Sequence, residues 1–508
     1  MNIVTAEEMY DMDHEAIHEI GIDGKLLMEN AGRAMSGRIE ASVNKSDCIR
    51  IFAGSGNNGG DGFVIARTLL NNGYHASVVQ VVPNEKVSGD ALFHKNLFVK
   101  CGGDVRVTRQ ISEIEVIVRN TDVIVDAMLG IGTKGVLREP LNEIVTTMNQ
   151  AAAHIISIDI PSGLPANEGV QDFQAVQANE TVVAGIPKMS AFLESTALYY
   201  GEWDTVSFGL PAKVTANYKQ RCVWTVDSFR QSMPERKRHA HKGHHGRGLV
   251  IGGNAEMPGS IAMAADAALR TGAGLITAAT TKGAVPAVSS HCMEATYLTL
   301  GDTDGYLNYD ISIPFDDYDT VLLGMGMGRR RETGKLVQQA VEQAKCPLIV
   351  DADGLYHLKP LLDKLKHLTN PVVLTPHPGE MAMLLDIPVQ KLLQSPFSFT
   401  KMFAEKHQVY VILKGMFTII TTPEGRQTVN STGNQGLAKG GSGDVLSGIT
   451  LAMVLQQQPL SEALCNACFV HGKAADLLIE ESHSVYDLMA SDVIAGITNV
   501  YRTCMAIQ

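Results

Sequence analysis

The chain has 508 residues, with 42 Lys and Arg against 54 Asp and Glu, so its formal net charge is −12. Apolar residues make up 45% and charged residues 19%, which is typical of a folded globular protein and excludes an extensively disordered chain. The acidic balance argues against a nucleic-acid or anionic-membrane partner. No apolar run approaches the roughly 20 residues of a membrane-spanning helix, and the acidic N-terminal segment does not resemble a signal peptide.

The first half of the sequence alternates between predicted helices and strands. Thr5 and Glu8 fit a capping box that begins a first helix, and a second helix is predicted over 25–43. Strands are predicted over 49–54, 76–82, 122–129, 154–160, 180–186 and 204–210, with helices over 62–72 and 90–101. Several of these strands are continuous apolar runs, which is typical of parallel strands covered on both faces. We therefore predict a doubly wound α/β domain at 1–215.

A basic, histidine-rich connection is predicted over 216–247, where it joins the halves and opens the second domain. Its segment 234–247 holds five Lys or Arg, one Glu and four His. A solvated connection, a histidine metal site and a site for an anionic ligand are the three interpretations. The first is favoured because no cysteine or carboxylate ligands accompany the histidines.

The pattern of the second half predicts another α/β domain, at 248–508. It begins with a strand over 248–253 and then alternates between helices and strands. Further helices are predicted over 259–271, 333–344, 443–456 and 460–481, and further strands over 274–280, 319–324, 347–351, 371–375 and 409–413. A short β pair is predicted within 417–430. Cys465 and Cys468 form a single CxxC inside an apolar helix, and without a second pair we interpret them as core thiols rather than zinc ligands.

A glycine-rich segment, 54–62, follows a predicted strand and precedes a helix. Its five glycines permit positive φ and close approach of a ligand to the backbone. A phosphate would be favoured by the amides and dipole at the start of the following helix. Asn57, Asn58 and Asp61 add polar side chains that a simple turn does not need.

Other polar side chains follow further strands of this half. Asp126, Asp159 and Ser162 lie at predicted strand ends, which share one edge in a doubly wound sheet. Asn58, Asp126 and Ser162 are therefore expected to converge, and their oxygens suit a monovalent or other hard cation. Each aspartate taken alone is equally well explained as a helix N-cap.

The motifs MENAGRA, FAGSGNNGGDGFVIAR, DAMLGIGTKG and IDIPSGL resemble the NAD(P)H-hydrate epimerase family over about 1–215. The resemblance implies a Rossmann-like domain that interconverts the R and S forms of hydrated NADH and NADPH at C6 of the nicotinamide ring. It places Asp159 at the reacting part of the substrate, where we expect acid/base chemistry, and potassium at Asn58, Asp126 and Ser162. The implied substrate contacts are Asn57, Asn58, Gly59, Gly60, Asp61, Gly130, Ile131, Gly132, Thr133, Lys134, Gly135, Val136 and Asp159.

A second glycine-rich segment, 434–444, precedes an apolar helix. Glycines at 440, 441 and 443 let consecutive amides point to one place, which makes an anion hole for a transferring phosphoryl group. Asp444 is then placed to take a proton from an attacking hydroxyl. An N-capping aspartate is the alternative, but it does not account for three glycines together with Lys439.

Charged side chains follow other predicted strands of the second half. Asp351 and Asp353 follow one strand, His377 and Glu380 another, Lys414 a third, and a Gly-Met-Gly-Met-Gly loop over 324–328 a fourth. An acid pair, a lysine and an anion hole suggest chemistry on a magnesium nucleotide. For His377, a structural and a functional role are both open.

The motifs HKGHHGRGLVIGGN, AALRTGAGL, VDADGL, LTPHPGE, LKG and GNQGLAKGGSGDVLSGI resemble the ribokinase-like ADP- or ATP-dependent NAD(P)H-hydrate dehydratase family over about 230–505. The resemblance implies contacts to the hydrated nicotinamide nucleotide from Ala262, Gly326, His377 and Asp444. It implies contacts to ADP or AMP from Lys414, Gly415, Met416, Phe417, Thr418 and Gly443. Met325 stands where the family usually has proline, and Lys439 where it usually has threonine or serine.

The sequence thus predicts a bifunctional isomerase and lyase for nicotinamide-nucleotide repair. The first domain would epimerise the R form to the S form, and the second would phosphorylate the C6 hydroxyl with ADP and eliminate phosphate. The expected cofactors are K⁺ in the first domain and Mg²⁺ with ADP in the second. We expect the substrates NADHX, NADPHX and ADP, no nucleic-acid or membrane partner, a homo-oligomer and a cytoplasmic location.

Two rival functions are considered. One is a vitamin-precursor or sugar kinase with an accessory domain, which would release a stable phosphorylated product. The other is a first domain that only binds protein or RNA. Retention of Asn58, Asp126, Asp159 and Ser162 argues against the latter, because a binding module needs none of them.

Overall fold

The computed structural model describes residues 1–133 and 135–505. Its contacts divide the chain into two units. The first comprises Asn2–Arg221, and the second comprises Met1 together with the residues from Cys222 onward. Residues 222–247 therefore do more than connect the halves. Arg221–Val223 forms a strand at the edge of the second sheet, and Val226–Ser232 forms a helix.

The first unit consists of seven strands and seven α-helices within the described residues. Strands β1 to β7 are Cys48–Ala53, His75–Gln80, Val105–Val107, Val123–Ala127, His154–Ile158, Glu180–Ala184 and Glu202–Val206. Helices α1 to α7 are Ala6–His14, Gly24–Glu40, Asn57–Asn71, Gly89–Lys100, Ile111–Arg119, Leu141–Asn149 and Ala212–Thr215. The capping box predicted for the first helix is confirmed, because Thr5 Oγ1 accepts from the Glu8 amide and Glu8 accepts from the Thr5 amide.

All seven strands of the first sheet are parallel and lie in the order β3-β2-β1-β4-β5-β6-β7. Neighbouring residues of one strand pack into different cores. Val123 and Val125 of β4 belong to one hydrophobic cluster, and Ile124 between them belongs to another. Helices thus cover both faces, as the apolar runs predict, and the doubly wound fold of this unit is confirmed.

The second unit is built in the same way, with more elements. Strands β8 to β19 are Arg221–Val223, Arg247–Ile251, Leu275–Thr281, Thr296–Leu300, Asp302–Thr303, Tyr306–Leu307, Thr320–Leu323, Leu348–Val350, Val372–Leu374, Tyr410–Leu413, Thr418–Thr421 and Gln427–Asn430. Helices α8 to α19 are Val226–Ser232, Pro258–Thr271, Val285–His291, Arg331–Gln343, Asp353–Leu358, Leu362–Leu365, Pro378–Leu385, Val389–Gln394, Pro396–His407, Ser442–Leu455, Leu460–Glu481 and Ala490–Cys504.

Ten of these strands form one sheet in the order β11-β10-β9-β14-β15-β16-β17-β18-β19-β8. In this sheet the neighbouring strands β11, β10, β9, β14, β15, β16 and β17 are parallel. The predicted β pair is formed by β18 and β19, which are antiparallel. The carboxyl ends of the parallel strands therefore meet at one edge, where the glycine-rich loop before α17 also arrives. No helix of the described chain is long and apolar enough to cross a membrane.

The backbone of helix α17 at Gly448 packs closely on the backbone of α9 at Ala264. A Cβ added at Gly448 would lie 2.1 Å from the backbone oxygen of Ala264. Since no real Cβ contact is that short, only glycine allows this approach of the two backbones. The packing fixes where α17 begins, and with it the position of the loop that precedes it.

We expect Gly448→Ala to destabilise the second unit by about 1–3 kcal/mol, because the added methyl group must push α17 from α9. Differential scanning calorimetry of the full chain measures the shift of the unfolding transition. Gly259→Ala on α9, where an added Cβ meets nothing within 4 Å, is the matched control and should change stability by less than about 0.5 kcal/mol. Equal transitions for the two variants would contradict the proposed role of Gly448.

Candidate active sites

The first candidate site lies where the strand order of the first sheet reverses, between β1 and β4. Ligands of open α/β sheets bind at such points because the segments that leave the two strands diverge there. A cavity of about 560 Å³ opens at this edge, and Asn57, Asp61, Asp159 and Lys188 lie in its walls. This volume is in the range of small-molecule and cofactor sites.

The glycine-rich segment 54–62 provides close packing rather than unusual backbone angles. None of its glycines uses the positive φ that the sequence permits, and α3 already begins at Asn57. A Cβ on Gly59 would lie 2.3 Å from the Gly54 carbonyl oxygen, and one on Gly54 would lie 1.9 Å from that of Met128. The glycines therefore let the backbone at Gly54, just after β1, touch both the start of α3 and the segment that follows β4.

Most of the predicted epimerase contacts lie around the cavity. Those in its walls are Asn57, Asn58, Asp61, Gly130, Ile131, Gly132, Thr133 and Asp159. Gly59 and Gly60 are buried behind the walls, where Gly60 packs on Met28. Gly135 and Val136 are not among the described wall residues, and Val136 is 61% exposed. Lys134 lies outside the described residues.

Asp159 follows β5 with a φ of 62°, an uncommon conformation for a residue other than glycine. Its Oδ1 accepts a hydrogen bond from Lys188 Nζ at 2.5 Å. The Lys188 side chain is 1% exposed and also donates to the Ile186 carbonyl at 3.0 Å. Sequence reasoning missed Lys188, for which the only signal is a lone lysine in an apolar stretch after a strand.

Two further carboxyl groups share the cavity with this ion pair. Burial, followed by the negative charges of Asp159 and Asp13, raises the pKa of Asp61 well above its usual range. Burial and Asp159 raise the pKa of Asp13 to about 6, against the opposing charge of Lys188. The cavity therefore combines the Lys188 side chain with two carboxyl groups whose pKa values lie above the usual range.

The structure brings the predicted potassium ligands together around Leu129. Asn58 Nδ2 donates to the Leu129 carbonyl at 2.8 Å, and Ser162 Oγ lies 3.2 Å from the same oxygen. The fully buried Asp126 carboxylate accepts from Ser162 Oγ at 2.5 Å and from Ser157 Oγ at 2.9 Å. Burial raises the pKa of Asp126 although these hydrogen bonds oppose the shift. Among the described residues no Lys, Arg or His forms an ion pair with it, so a cation would balance its charge.

The second candidate site surrounds Asp444 in the first turn of α17. Gly441 precedes the helix with a φ of 92°, which an L side chain rarely adopts, so a glycine is required there. Ser260 of α9 lies near enough to the Asp444 carboxyl group to lower its pKa. Burial, followed by the charge of Asp351, raises the pKa of Asp444 to about 6, while Ser260 and Lys414 oppose the shift.

A buried ion pair lies beside Asp444. Lys414 Nζ at the end of β17 donates to Asp351 Oδ1 at 2.8 Å, and Ser447 Oγ donates to Asp351 Oδ2 at 2.6 Å. Burial alone would raise the pKa of Asp351, but Lys414 and the hydrogen bonds outweigh burial and lower it. Burial alone would lower the pKa of Lys414, but Asp351, Glu380 and Asp444 outweigh burial and raise it. Both groups are therefore held in their charged forms.

The acid pair suggested by Asp351 and Asp353 does not form. Ala352 between them has a φ of 51°, and the two side chains reach different partners. Asp353 accepts from the Gly328 amide at 3.0 Å and from Arg329 Nε at 2.9 Å. Asp353 thus holds the glycine loop after β14, and only Asp351 lies at Lys414.

His377 is the N-cap of α14. Its Nδ1 accepts hydrogen bonds from the amides of Gly379 at 3.0 Å and Glu380 at 3.3 Å, and Glu380 accepts from the His377 amide at 2.8 Å. The structural role left open by the sequence is therefore present. The His377 side chain is also 58% exposed, and its Nε2 lies 3.5 Å from Glu380 Oε1.

Ser260 links Gly326 to Asp444. Gly326 has a φ of 60°, and a Cβ there would lie 3.0 Å from Ser260 Oγ. The predicted contact Ala262 is 5% exposed and belongs to the hydrophobic core. Met325, which stands where the resemblance implies a proline, is fully buried in the same core. Sequence reasoning missed Ser260.

The predicted nucleotide contacts converge at the tight connection between β17 and β18. Residues 414–418 span this connection, since β17 ends at Leu413 and β18 begins at Thr418. Gly443 joins them, because a Cβ there would lie 3.5 Å from Lys414 Nζ. Lys439 is not part of this group. Its Nζ donates to the Tyr486 carbonyl at 2.6 Å.

The histidine-rich and cysteine motifs do not assemble a metal site. In the described part of the chain, no group of three His, Cys, Asp or Glu residues could hold a metal ion. His241 and His244 stack with ring centroids 3.8 Å apart. Cys465 and Cys468 are buried in α18, and burial raises the pKa of both thiols.

Two protein-family models match the chain. A model described as YjeF-related protein N-terminus matches residues 24–190, and one described as NAD(P)H-hydrate dehydratase matches residues 248–498. With the two sheets, these matches confirm the predicted fold class, a Rossmann-like domain followed by a ribokinase-like domain.

Curated relatives match along almost the whole chain. The bifunctional NAD(P)H-hydrate repair enzyme of Moorella thermoacetica is 34% identical over 99% of this chain and 97% of its own length. The enzyme of the same description from Thermofilum pendens is 32% identical over 95% of this chain and 93% of its own length. A crystal structure of the ADP/ATP-dependent NAD(P)H-hydrate dehydratase from Bacillus subtilis is 31% identical and covers 56% of this chain and 98% of its own, with a TM-score of 0.49.

We expect Lys414→Met to destabilise the second unit by about 3–5 kcal/mol, because it leaves the buried Asp351 carboxylate without a counter-charge. Calorimetric unfolding of the full chain measures the loss. The double variant Asp351→Asn, Lys414→Met should recover most of it, since no unpaired charge is then buried. Lys401→Met breaks an exposed ion pair in the same unit and should cost less than about 1 kcal/mol. A similarly small effect of Lys414→Met would contradict the prediction.

Proposed function

We propose that this chain, which belongs to the family of bifunctional NAD(P)H-hydrate repair enzymes, catalyses both steps that restore hydrated NADH and NADPH. The observation that carries the proposal is the presence of two separate sites, one in each unit, each with acid/base groups at the carboxyl edge of its sheet. The first unit converts the R form to the S form at C6, and the second dehydrates the S form with consumption of ADP.

In the first unit, we assign the walls of the cavity to the hydrated nucleotide. Asn57, Asp61 and residues 130–133 bind the substrate, with the start of α3 available to its phosphates. Asp159 acts at the reacting ring, and Lys188 keeps its carboxylate in place at 2.5 Å. Because C6 carries both the hydroxyl and the ring nitrogen, its inversion needs proton transfer at that hydroxyl.

We propose potassium as the cation of the first site. Asn58, Asp126 and Ser162 would hold it together with the Leu129 carbonyl, which two of these side chains already contact. The donor set fits the ion, since it consists of oxygens with one formal charge, on a buried carboxylate that has no counter-charge among the described residues. The bound ion would supply positive charge beside the substrate.

In the second unit, we assign Asp444 as the base that takes the proton of the C6 hydroxyl. The oxygen attacks the terminal phosphorus of ADP, the bond to the bridging oxygen breaks, and AMP leaves. Loss of the C5 proton then expels phosphate from C6 and forms the C5–C6 double bond of NADH or NADPH. Phosphorylation serves this dehydration because phosphate leaves more easily than hydroxide. The amides before α17 stabilise the transferring group.

Further contacts in the second site follow from the same geometry. ADP, as its Mg²⁺ complex, is the second substrate and lies against Lys414, Gly415, Met416, Phe417, Thr418 and Gly443. The hydrated nucleotide lies at Gly326, His377 and Asp444, while the buried Ala262 shapes the wall behind Ser260. The homo-oligomer and the cytoplasmic location expected from the sequence stay predictions.

Incubation of the full chain with an R/S mixture of hydrated NADH, ADP and Mg²⁺ tests the proposed function. The absorbance of regenerated NADH should rise until both forms are consumed, with one AMP and one phosphate formed for each NADH. A stable phosphorylated product without NADH would instead identify a small-molecule kinase. Consumption of the S form alone would contradict an epimerase in the first unit.

We expect Asp444→Asn to lower the rate of dehydration by about 10²- to 10⁴-fold, because it removes the general base. Epimerisation of R to S, followed by chromatography, should be unchanged. In the unmodified chain, dehydration should rise with pH through about 6, because Asp444 must lose its proton to act as a base. Glu332→Gln, which alters an exposed carboxylate in the first turn of α11, is the matched control. Near-normal dehydration by Asp444→Asn would reject the assignment.

We expect Ser162→Ala to raise the K⁺ concentration needed for half-maximal epimerisation by about 10-fold or more, because a ligand oxygen is lost. The rate is measured while KCl replaces choline chloride at constant ionic strength. Ser157→Ala is the control, since Ser157 also donates to Asp126 but is not a proposed ligand. Epimerisation by the unmodified chain that does not depend on K⁺ would exclude this role for the site.

A further inference from the structure

Asp13 lies in the wall of the first cavity together with Asp159 and Lys188. It belongs to the last turn of α1, whose start is fixed by the Thr5–Glu8 capping box. A π-helical turn, Glu15–Glu19, follows directly, and such turns are frequent at functional sites. No motif of the sequence points to Asp13, which reaches the cavity from an element about 145 residues away from Asp159 along the chain.

Asp13 is partly buried, yet no other described residue holds its carboxyl group. Neither a hydrogen bond nor an ion pair involves this group within residues 1–133 and 135–505. Asp159 differs, because Lys188 donates to it at 2.5 Å. A structural carboxylate in such a position would be expected to have a partner, since burial of an unpaired charge is costly. The group is therefore available to a ligand in the cavity.

We propose that Asp13 is a second catalytic carboxyl group of the epimerase site, which protonates the departing C6 hydroxyl while Asp159 receives the proton of the incoming water. This inference rests on the proposed function of the first unit and adds to it a residue that neither the motifs nor the relatives assign.

Epimerisation replaces the C6 hydroxyl by a hydroxyl from water on the other face of the ring. Asp13 gives its proton to the C6 hydroxyl, the C6–O bond breaks, and its electron pair leaves with the water that forms. The lone pair of the ring nitrogen N1 closes a C6=N1 double bond. Water then adds to the other face of C6, the π pair returns to N1, and Asp159 takes the proton that the added water loses. Proton exchange with solvent restores both carboxyl groups, so only the configuration at C6 has changed.

The surroundings of Asp13 suit this role better than those of Asp61. Burial and Asp159 raise the pKa of Asp13 to about 6, while Lys188 opposes them, so its proton is exchangeable near neutral pH. The pKa of Asp61 lies well above its usual range through burial and the charges of Asp159 and Asp13, which favours a carboxyl group that stays protonated. Tyr10 also faces this cluster, and Asp13 raises the pKa of its hydroxyl, although burial is the larger cause.

The test compares Asp13→Asn with Asp11→Asn in the full chain. Asp11 is an exposed residue of the same helix and provides the matched control. With the R form as substrate, Asp13→Asn should lower kcat of epimerisation by about 10²- to 10⁴-fold with little change in KM. Asp11→Asn should behave as the unmodified chain, and all variants should dehydrate the S form at the same rate.

The pH dependence separates a catalytic role from a structural one. For the unmodified chain, epimerisation should decrease as pH rises through about 6, because Asp13 then loses the proton that it donates. This decrease should be absent in Asp13→Asn and partly restored, with part of the rate, in Asp13→Glu.

Two outcomes would overturn the proposal. One is a rate of epimerisation by Asp13→Asn within threefold of the rate of Asp11→Asn. The other is a lower rate in both Asp13→Asn and Asp13→Glu with the pH profile of the unmodified chain, which would indicate a structural role. Failure of the unmodified chain to consume the R form would instead refute the proposed epimerase function itself.

Discussion

Each site is organised around a buried carboxylate–ammonium pair at the end of a parallel strand. Asp159 is fixed by Lys188 at 2.5 Å in the first unit, and Asp351 is fixed by Lys414 at 2.8 Å in the second. Breaking such a pair leaves a charge in a poorly solvated place, so the pair constrains the backbone on both sides of it. In each site another carboxyl group, Asp13 or Asp444, lies within electrostatic reach of the pair and has a pKa of about 6. In the second site the pKa values of Asp351 and Asp444 are shifted in opposite directions, which is how one environment supports both acid and base chemistry.

The topology of the sheets makes these pairs possible. Lys188 follows β6 and Asp159 follows β5, and these strands are neighbours. Lys414 follows β17 and Asp351 follows β15, with β16 between them. Parallel strands bring all their carboxyl ends to one edge, so residues that are far apart in the chain meet there without any local signal. Helix α17 enters the same edge because Gly448 permits its backbone to touch α9.

The sequence predicted the architecture and the places of the sites better than the contacts within them. Apolar runs located helices such as α17 and α18 almost to the residue, and the glycine-rich segment 54–62 follows β1, which borders the reversal of strand order in the first sheet. Lys188 and Ser260 were missed because a single polar residue in an ordinary segment has no periodic or motif signal, and its partner comes from tertiary structure. The glycines of segment 54–62 permit both positive φ and close approach to the backbone, and a sequence does not distinguish these two uses. The structure shows close backbone packing without positive φ. The acid pair at Asp351 and Asp353 failed for a related reason, since the turn at Ala352 sends two nearby side chains to different partners.

The clearance at Gly54 and Gly59 has a consequence for the thermodynamics of ligand binding. With backbone atoms already in contact on both sides of these residues, the first amides of α3 have no room to move before a ligand arrives. Little backbone conformational entropy is then lost when an anion docks on them, in contrast to a loop that must become ordered around its ligand. The entropy lost on association falls mainly on the nucleotide, whose own rotatable bonds become fixed. A glycine-rich sequence, usually associated with flexibility, here forms closely packed backbone.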